Sequence, residues 1–147
     1  MDMANVEVDA EVQTLLRRAN QRYTTVRQSV VRALEAATGP MTITQILETD
    51  SALSQSSVYR NLTILEQVGA VTRIITRDDF ARYELAEQLT GHHHHLICSG
   101  CGNVQDFSLP PAAEAALDTA LAKAASNAKF EAADHRLDLI GTCNACA

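Results

Sequence analysis

The chain has 147 residues, a net charge of −6 and an apolar share of 46%. That is enough for one ordinary domain or two small ones with a real core, and no apolar run approaches the length of a membrane span. The acidic start, MDMANVEVDAEVQ, lacks the basic and apolar regions of a secretory signal, so the expectation is a soluble, cytoplasmic protein with reduced thiols.

The negative charge disfavours a nucleic-acid partner only on average. Arg17, Arg18, Arg22, Arg27 and Arg32 fall between Gln13 and Arg32 with no acid among them, and Arg60, Arg73 and Arg77 face Glu66 alone between Ser51 and Arg77. Salt confines each charge to about a Debye length, roughly 8 Å, so local basic patches can hold phosphate on an acidic chain. Two solvated helix faces would account for the same charges.

In chain order, TTVRQSVVRALEAATGP opens with Thr25 and Gln28 in capping-box spacing. Val26, Val30, Ala33, Leu34 and Ala37 recur at helical spacing, and Gly39-Pro40 ends the helix. A second capping box, Thr42 with Gln45, opens the next helix. In SALSQSSVYRNLTILEQVGAV, the apolar residues Val58, Leu62, Ile64, Leu65 and Val68 share one side. Ser56, Tyr59, Arg60, Thr63 and Gln67 gather on the other, and Gly69 is the stop. VTRIIT and ARYELA are β-rich runs around the turn signal RDDF.

Three helices and a hairpin in this order give a winged helix-turn-helix. The outer face of its last helix carries hydroxyls, a tyrosine and an arginine, the groups that meet phosphates and base edges in a major groove. A small helical domain with a polar outer face is the alternative.

All five histidines and all four cysteines lie after residue 91. The boundary falls near residues 86–91, giving a DNA-binding domain over 1–87 and a metal-binding domain over 88–147. In the second part HHHHLIC, NVQDF and HRLDLIGT read as strands around one Ala-rich helix that starts at Pro110 and Pro111. This is a small α/β domain whose apolar strands suit pairing with a second copy. The fold class is therefore α/β (α+β): a winged helix-turn-helix followed by an α/β dimerisation domain.

The two Cys-x-x-Cys pairs, Cys98/Cys101 and Cys143/Cys146, each suit a knuckle with two thiolates facing one ion. Together they make a four-sulfur structural zinc site that ties the end of the domain to its beginning. A thioredoxin-like redox motif is the alternative for one pair. The run His92 to His95 lies well inside the chain, unlike a terminal tag. If the run is extended, His92 and His94 face one way and His93 and His95 the other, so it can serve two metal sites. Asp106, Glu114, His135 and Glu84 are the available further ligands. An exposed tract with adventitious metal affinity is the bland reading.

The succession VYRNLTILEQVGAV, RYEL, HHHHLICSGCGNVQDF, DHRLDLIGTCNAC resembles the ferric uptake regulator family from about Tyr23 to Cys146. The resemblance implies a homodimeric, metal-dependent DNA-binding regulator, usually a repressor, of metal-homeostasis or oxidative-stress genes. It implies structural Zn2+ on Cys98, Cys101, Cys143 and Cys146. It places a regulatory divalent metal (Zn2+, Fe2+ or Mn2+) on Glu84, His93, His95 and Asp106, and a further site on His92, His94, Glu114 and His135. DNA contacts are expected from Arg27, Ser56, Ser57, Tyr59, Arg60 and Thr63. One departure stands out: many members carry a histidine after the helix that here ends at Gly39-Pro40, where this chain reads GPMTI. A zinc hydrolase or thiol oxidoreductase is the competing function, but the His-x-Glu and His-Glu-x-x-His signatures of zinc enzymes are missing.

Overall fold

The structure, a computed structural model, describes residues 3–147. Its helices begin where side chains satisfy free backbone N–H groups. Thr24 caps α2 (Thr25–Ala36) by accepting from the Arg27 N–H, one residue ahead of the expected Thr25. The cap belongs to the last extended residue; Thr24 is extended at ψ 164° while Thr25 is already helical. Gln28 instead donates to the Tyr23 carbonyl. The box of Thr42 and Gln45 at α3 (Ile43–Thr49) forms with both bonds, and Ser54 caps α4 (Gln55–Gln67). The strands β1 (Val71–Ile75) and β2 (Ala81–Leu85) form the antiparallel wing, with Tyr83 opposite Arg73. Met41 adds a further rung by exchanging two backbone bonds with Tyr83.

A helix that the sequence analysis did not pick out, α1 (Met3–Arg18), precedes these elements. Its Val8, Val12 and Leu16, four residues apart, enter the same core as Val30, Val31 and Leu34 of α2, Ile46 of α3, and Val58, Leu62 and Leu65 of α4. Tyr83 and Leu85 of β2 close that core from the wing side. The Tyr23 hydroxyl donates to Asp9 at 2.6 Å and ties α1 to the chain leading into α2.

The second half starts with a single turn, α5 (Glu87–Thr90), then β3 (His94–Cys98), β4 (Val104–Phe107), α6 (Pro111–Asn127) and β5 (Asp138–Gly141). The sheet order is β4-β3-β5, with β3 antiparallel to β4 and parallel to β5. Parallel neighbours need a long crossover, which α6 supplies. The strand starts at His94, two residues later than the HHHHLIC run suggests. No residue of α6 is buried. Leu96, Leu139 and Ile140 leave exposed apolar surface on the sheet. Among the described residues no helix is long and apolar enough to cross a membrane.

The halves meet directly. The Thr38 carbonyl accepts the Asp106 N–H at 2.9 Å. Gly39 packs on the β4 backbone so tightly that a Cβ there would overlap the Val104 carbonyl oxygen and stand 2.9 Å from Gln105 Cα. This stretch has no room for a side chain at position 39.

Candidate metal centres and nucleic-acid interface

The structure gathers Cys98, Cys101, Cys143 and Cys146 into one cluster with all ligand atoms within 4.8 Å of one another. The parallel pairing that sets Cys98 opposite Gly141 carries the second knuckle back to the first. Cys101 and Cys143 sulfurs lie 3.8 Å apart. Sulfurs held about 2.3 Å from a tetrahedral zinc would lie roughly 3.8 Å apart, whereas a disulfide needs about 2.05 Å. The N–H groups of Cys143 and Cys101 donate to the Cys98 sulfur and, led by Cys143, lower its pKa to about 6. Sharing of hydrogen bonds with Cys143, Cys101 and Cys98 pushes Cys146 up to about 12. A dication is what lets all four become thiolates together, and the donor set fits zinc.

The histidine run divides by alternation, as expected. Glu84, His93, His95 and Asp106 form one cluster and His92, His94, Glu114 and His135 another. In the first, β2 supplies Glu84, and cross-strand register sets Asp106 opposite His95. Glu84 lies 2.9 Å from His93 Nε2 and 3.1 Å from His95 Nε2. Asp106 Oδ1 lies 3.6 Å and 3.5 Å from the same two nitrogens. In the second, Glu114 stands 2.8 Å from His94 Nε2, 2.9 Å from His92 Nε2 and 3.3 Å from His135 Nε2.

Two features fit these clusters to cations. Asp106 Oδ1 and Glu114 Oε1 are buried and accept no hydrogen bond, although imidazole nitrogens crowd them. Close approach without donor alignment is the pattern of atoms that converge on a common centre. The far nitrogens also mostly point to acceptors. His93 Nδ1 donates to the Gly91 carbonyl at 3.1 Å and His92 Nδ1 to Glu87 at 2.8 Å, while His95 Nδ1 is 3.5 Å from Asp138 and His135 Nδ1 3.7 Å from Asp118. A carbonyl can only accept, so His93 carries its proton on Nδ1 when neutral and offers Nε2 as a ligand. His94 is the exception: its Nδ1 is buried without a partner.

The ionisation of the first cluster follows its crowding. Burial raises the Glu84 pKa, but bonds from His95 and His93 outweigh it and hold the carboxyl below its ordinary value. Burial lowers His93, but Glu84 and the Gly91 carbonyl more than reverse this. Burial raises Asp106. Across the sheet, the His94 hydrogen bond lowers Glu114.

The orienting acceptors Glu87 and the Gly91 carbonyl, and the nearby carboxylates of Asp118 and Asp138, were not among the expected site residues. Asp118 had a readable signal, four residues after Glu114 on one helix face. Glu87 depends on the turn of α5, which has no sequence period.

On α4, Ser56, Tyr59, Arg60 and Thr63 are exposed, with Tyr59 58% accessible. With Gln55 and Ile43, the first three line an open groove. Ser57 is half-buried, and its hydroxyl accepts from Asn61. Arg27, also expected to contact DNA, points inward. It is 8% accessible and its guanidinium donates to Asn61 Oδ1 at 2.9 Å and to the Arg22 carbonyl at 2.5 Å. It braces α4 from within, because its place on α2 faces the neighbouring helix.

A winged helix joined to a small α/β domain that carries four-ligand clusters defines a metal-dependent DNA-binding regulator. The sequence profile of the ferric uptake regulator family matches residues 18–140, and the chain belongs to that family. It is 29% identical over 135 residues to the peroxide-responsive repressor PerR of Staphylococcus epidermidis, a match that covers 89% of this chain and 85% of that one. The fold is similar to that of the Helicobacter pylori ferric uptake regulator Fur, described with three functional metal binding sites. The TM-score is 0.76 at 22% identity, over 97% of this chain and 93% of that one. A zinc-bound manganese uptake regulator gives 0.67 at 28% identity, over 90% and 98%.

Proposed function

We propose that the chain is a metal-responsive repressor that binds a pseudo-palindromic operator as a homodimer. Residues 1–87 read DNA through the exposed face of α4, and residues 88–147 carry the dimer contact and the metals. The four cysteines hold a structural zinc. Glu84, His93, His95 and Asp106 hold the regulatory divalent ion, zinc, iron or manganese, and the set around Glu114 holds a further one.

One observation carries this reading: Glu84 lies on the wing, and its three co-ligands lie on or just before the strands of the other half. Glu84 and Asp106 repel each other when both are ionised. A cation between them removes that repulsion and fixes the angle between the wing and the dimer sheet. It acts through its greater affinity for the arrangement that fits DNA, and the two helices of a dimer then meet two half-sites. Each cluster brings four protein ligands, which argues for binding rather than hydrolysis, where a position is kept open for substrate. We assign the chain no catalytic role and a cytoplasmic location.

The test is operator binding by protein stripped of its regulatory metal, titrated in turn with zinc, iron and manganese. Binding that rises with at least one of them is expected. Binding that ignores all three overturns the reading.

A further inference from the structure

Strand β2 turns alternate residues toward different neighbours. Tyr83 and Leu85 enter the core of the first half. Arg82 and Glu84 face the second half, and they do so at two different places. Glu84 reaches the histidines. Arg82, only 5% accessible, forks onto Asp78 with bonds of 2.9 Å and 2.8 Å and also donates to Thr76 at 2.7 Å. Thr76 donates in turn to Asp78, as does the Phe80 N–H.

This ionic knot of the wing turn sits against Gly102, the residue that follows Cys101. A Cβ on Gly102 would overlap Asp78 Oδ2 and stand 3.0 Å from an Arg82 guanidinium nitrogen. Gly102 has φ +77° and donates its N–H to the Cys98 carbonyl at 2.9 Å, so it is part of the cysteine knuckle itself. An arginine–carboxylate pair left in water contributes little; one covered and fully bonded is worth more and needs its cover. The knuckle is that cover.

We propose that the four-cysteine knuckle is the docking seat of the wing, and that this contact raises the affinity of the Glu84 cluster for its metal. The inference rests on the reading of that cluster as the regulatory metal site. Its physical basis is rigidity. Arg82 and Glu84 are two residues apart on one strand, fixed by β1 and by Met41. Their partners, the knuckle at Cys98 and the ligands His93 and His95, lie on or beside the single strand β3. Two contacts between the same two stiff strands form together, because making one holds the other in reach. The coupling is reciprocal: metal at Glu84 tightens the seat, and the seat tightens the metal.

The experiment attacks the seat from each side in the full-length dimer. Gly102→Ala leaves the wing residues untouched and fills their socket; Asp78→Ala leaves the knuckle untouched and unties Arg82. Zinc affinity of the Glu84 cluster is measured against a competing chelator, with zinc content of the cysteine site and dimer mass as controls. Each variant is expected to weaken that affinity about tenfold, and the double variant no further than the worse single one. Wild-type affinity in either variant overturns the docking role, as does full additivity. Should Gly102→Ala lose its cysteine-bound zinc, amide exchange at Gly102 in Asp78→Ala decides: faster exchange supports the seat and unchanged protection overturns it. Glu84→Ala is the separate check on the cluster: if it leaves zinc affinity unchanged, the regulatory-site reading fails, whatever the seat does.

Discussion

The two halves are held together by different means. The first half has a continuous apolar core in which Val12, Leu16, Val30, Val31, Ile46, Val58, Leu62 and Leu65 are fully buried. Among the described residues, the buried apolar side chains of the second half are Cys98 and Val104, and its buried polar ones are His94 and His95. Its helix buries nothing, and Leu139 and Ile140 are more than half exposed. A layer with so little interior is stabilised by bound ions and by a second copy instead of by its own burial. The first half carries an apolar core of its own, whereas the second has little interior without bound ions and a second copy. That division predicts that removing an ion subtracts a large share of the stability of the second half and little from that of the first.

The sharpest way to break this contrast is Cys143→Ser. It removes one of four thiolates and should release the zinc, the order of the second half and the dimer, while the first half keeps its helices. Zinc analysis, dimer mass and amide exchange report the three separately. A dimeric, fully ordered variant without zinc would show that the second half has a core of its own. The converse lesion is Leu62→Ala. It should cost about 2–5 kcal/mol in denaturant unfolding of the first half, because the site is fully enclosed, and leave cysteine-bound zinc in place. Loss of zinc in step with that unfolding would mean that the halves fold as one unit.

Much of this division was legible in residue spacing. The buried stripe of α4, the capped start at Thr42, and the turn at the wing follow from local patterns that each element carries within itself. The sorting of four consecutive histidines was also legible, because strand alternation is a local rule that held even for His92 and His93, just outside the strand. What the sequence hid was non-local. Val8, Val12 and Leu16 stand at helical spacing that the sequence analysis did not pick out, and only the core of three other helices shows what they pack against. The parallel pairing of β3 with β5 depends on a crossover. Arg27 belongs to a basic run, and its inward aim is set by Asn61 on another helix. Gly102 reads as a turn residue, and nothing within its own segment reveals that the wing rests on it.

The reader's outer face sharpens the comparison next. Tyr59→Ala and Arg60→Ala should each weaken operator binding by about 1–3 kcal/mol, with unchanged zinc content, dimerisation and unfolding midpoint. Both side chains are exposed and leave the core intact. Arg27→Ala should instead lower the stability of the first half, because it takes the donor from Asn61 Oδ1 and from the Arg22 carbonyl. Two surface variants that bind the operator normally would remove α4 from the DNA interface.

The smallest expected difference lies within the histidine run itself, between neighbours one residue apart. His93 joins Glu84, His95 and Asp106, a set of two nitrogens and two oxygens; His92 joins His94, Glu114 and His135, with three nitrogens and one oxygen. By donor type the oxygen-richer set would accept iron or manganese as well as zinc, and the nitrogen-richer set would favour zinc. Only the first includes a wing residue, so only there would an ion couple directly to the first half. His93→Ala should therefore shift metal-dependent operator binding to higher metal concentration by more than His92→Ala does. The second set carries a further handicap, because a metal on His94 Nε2 leaves a proton on a buried Nδ1 that has no acceptor. It should fill after the first as zinc is added, so His92→Ala should remove the later, weaker binding event and leave the earlier one in place. Zinc titration of each variant, followed by metal competition and by operator binding in the same samples, separates the two sites. Equal loss of DNA binding in both variants would mean that the four histidines act as one cluster and that the division of the run between two faces has no functional counterpart.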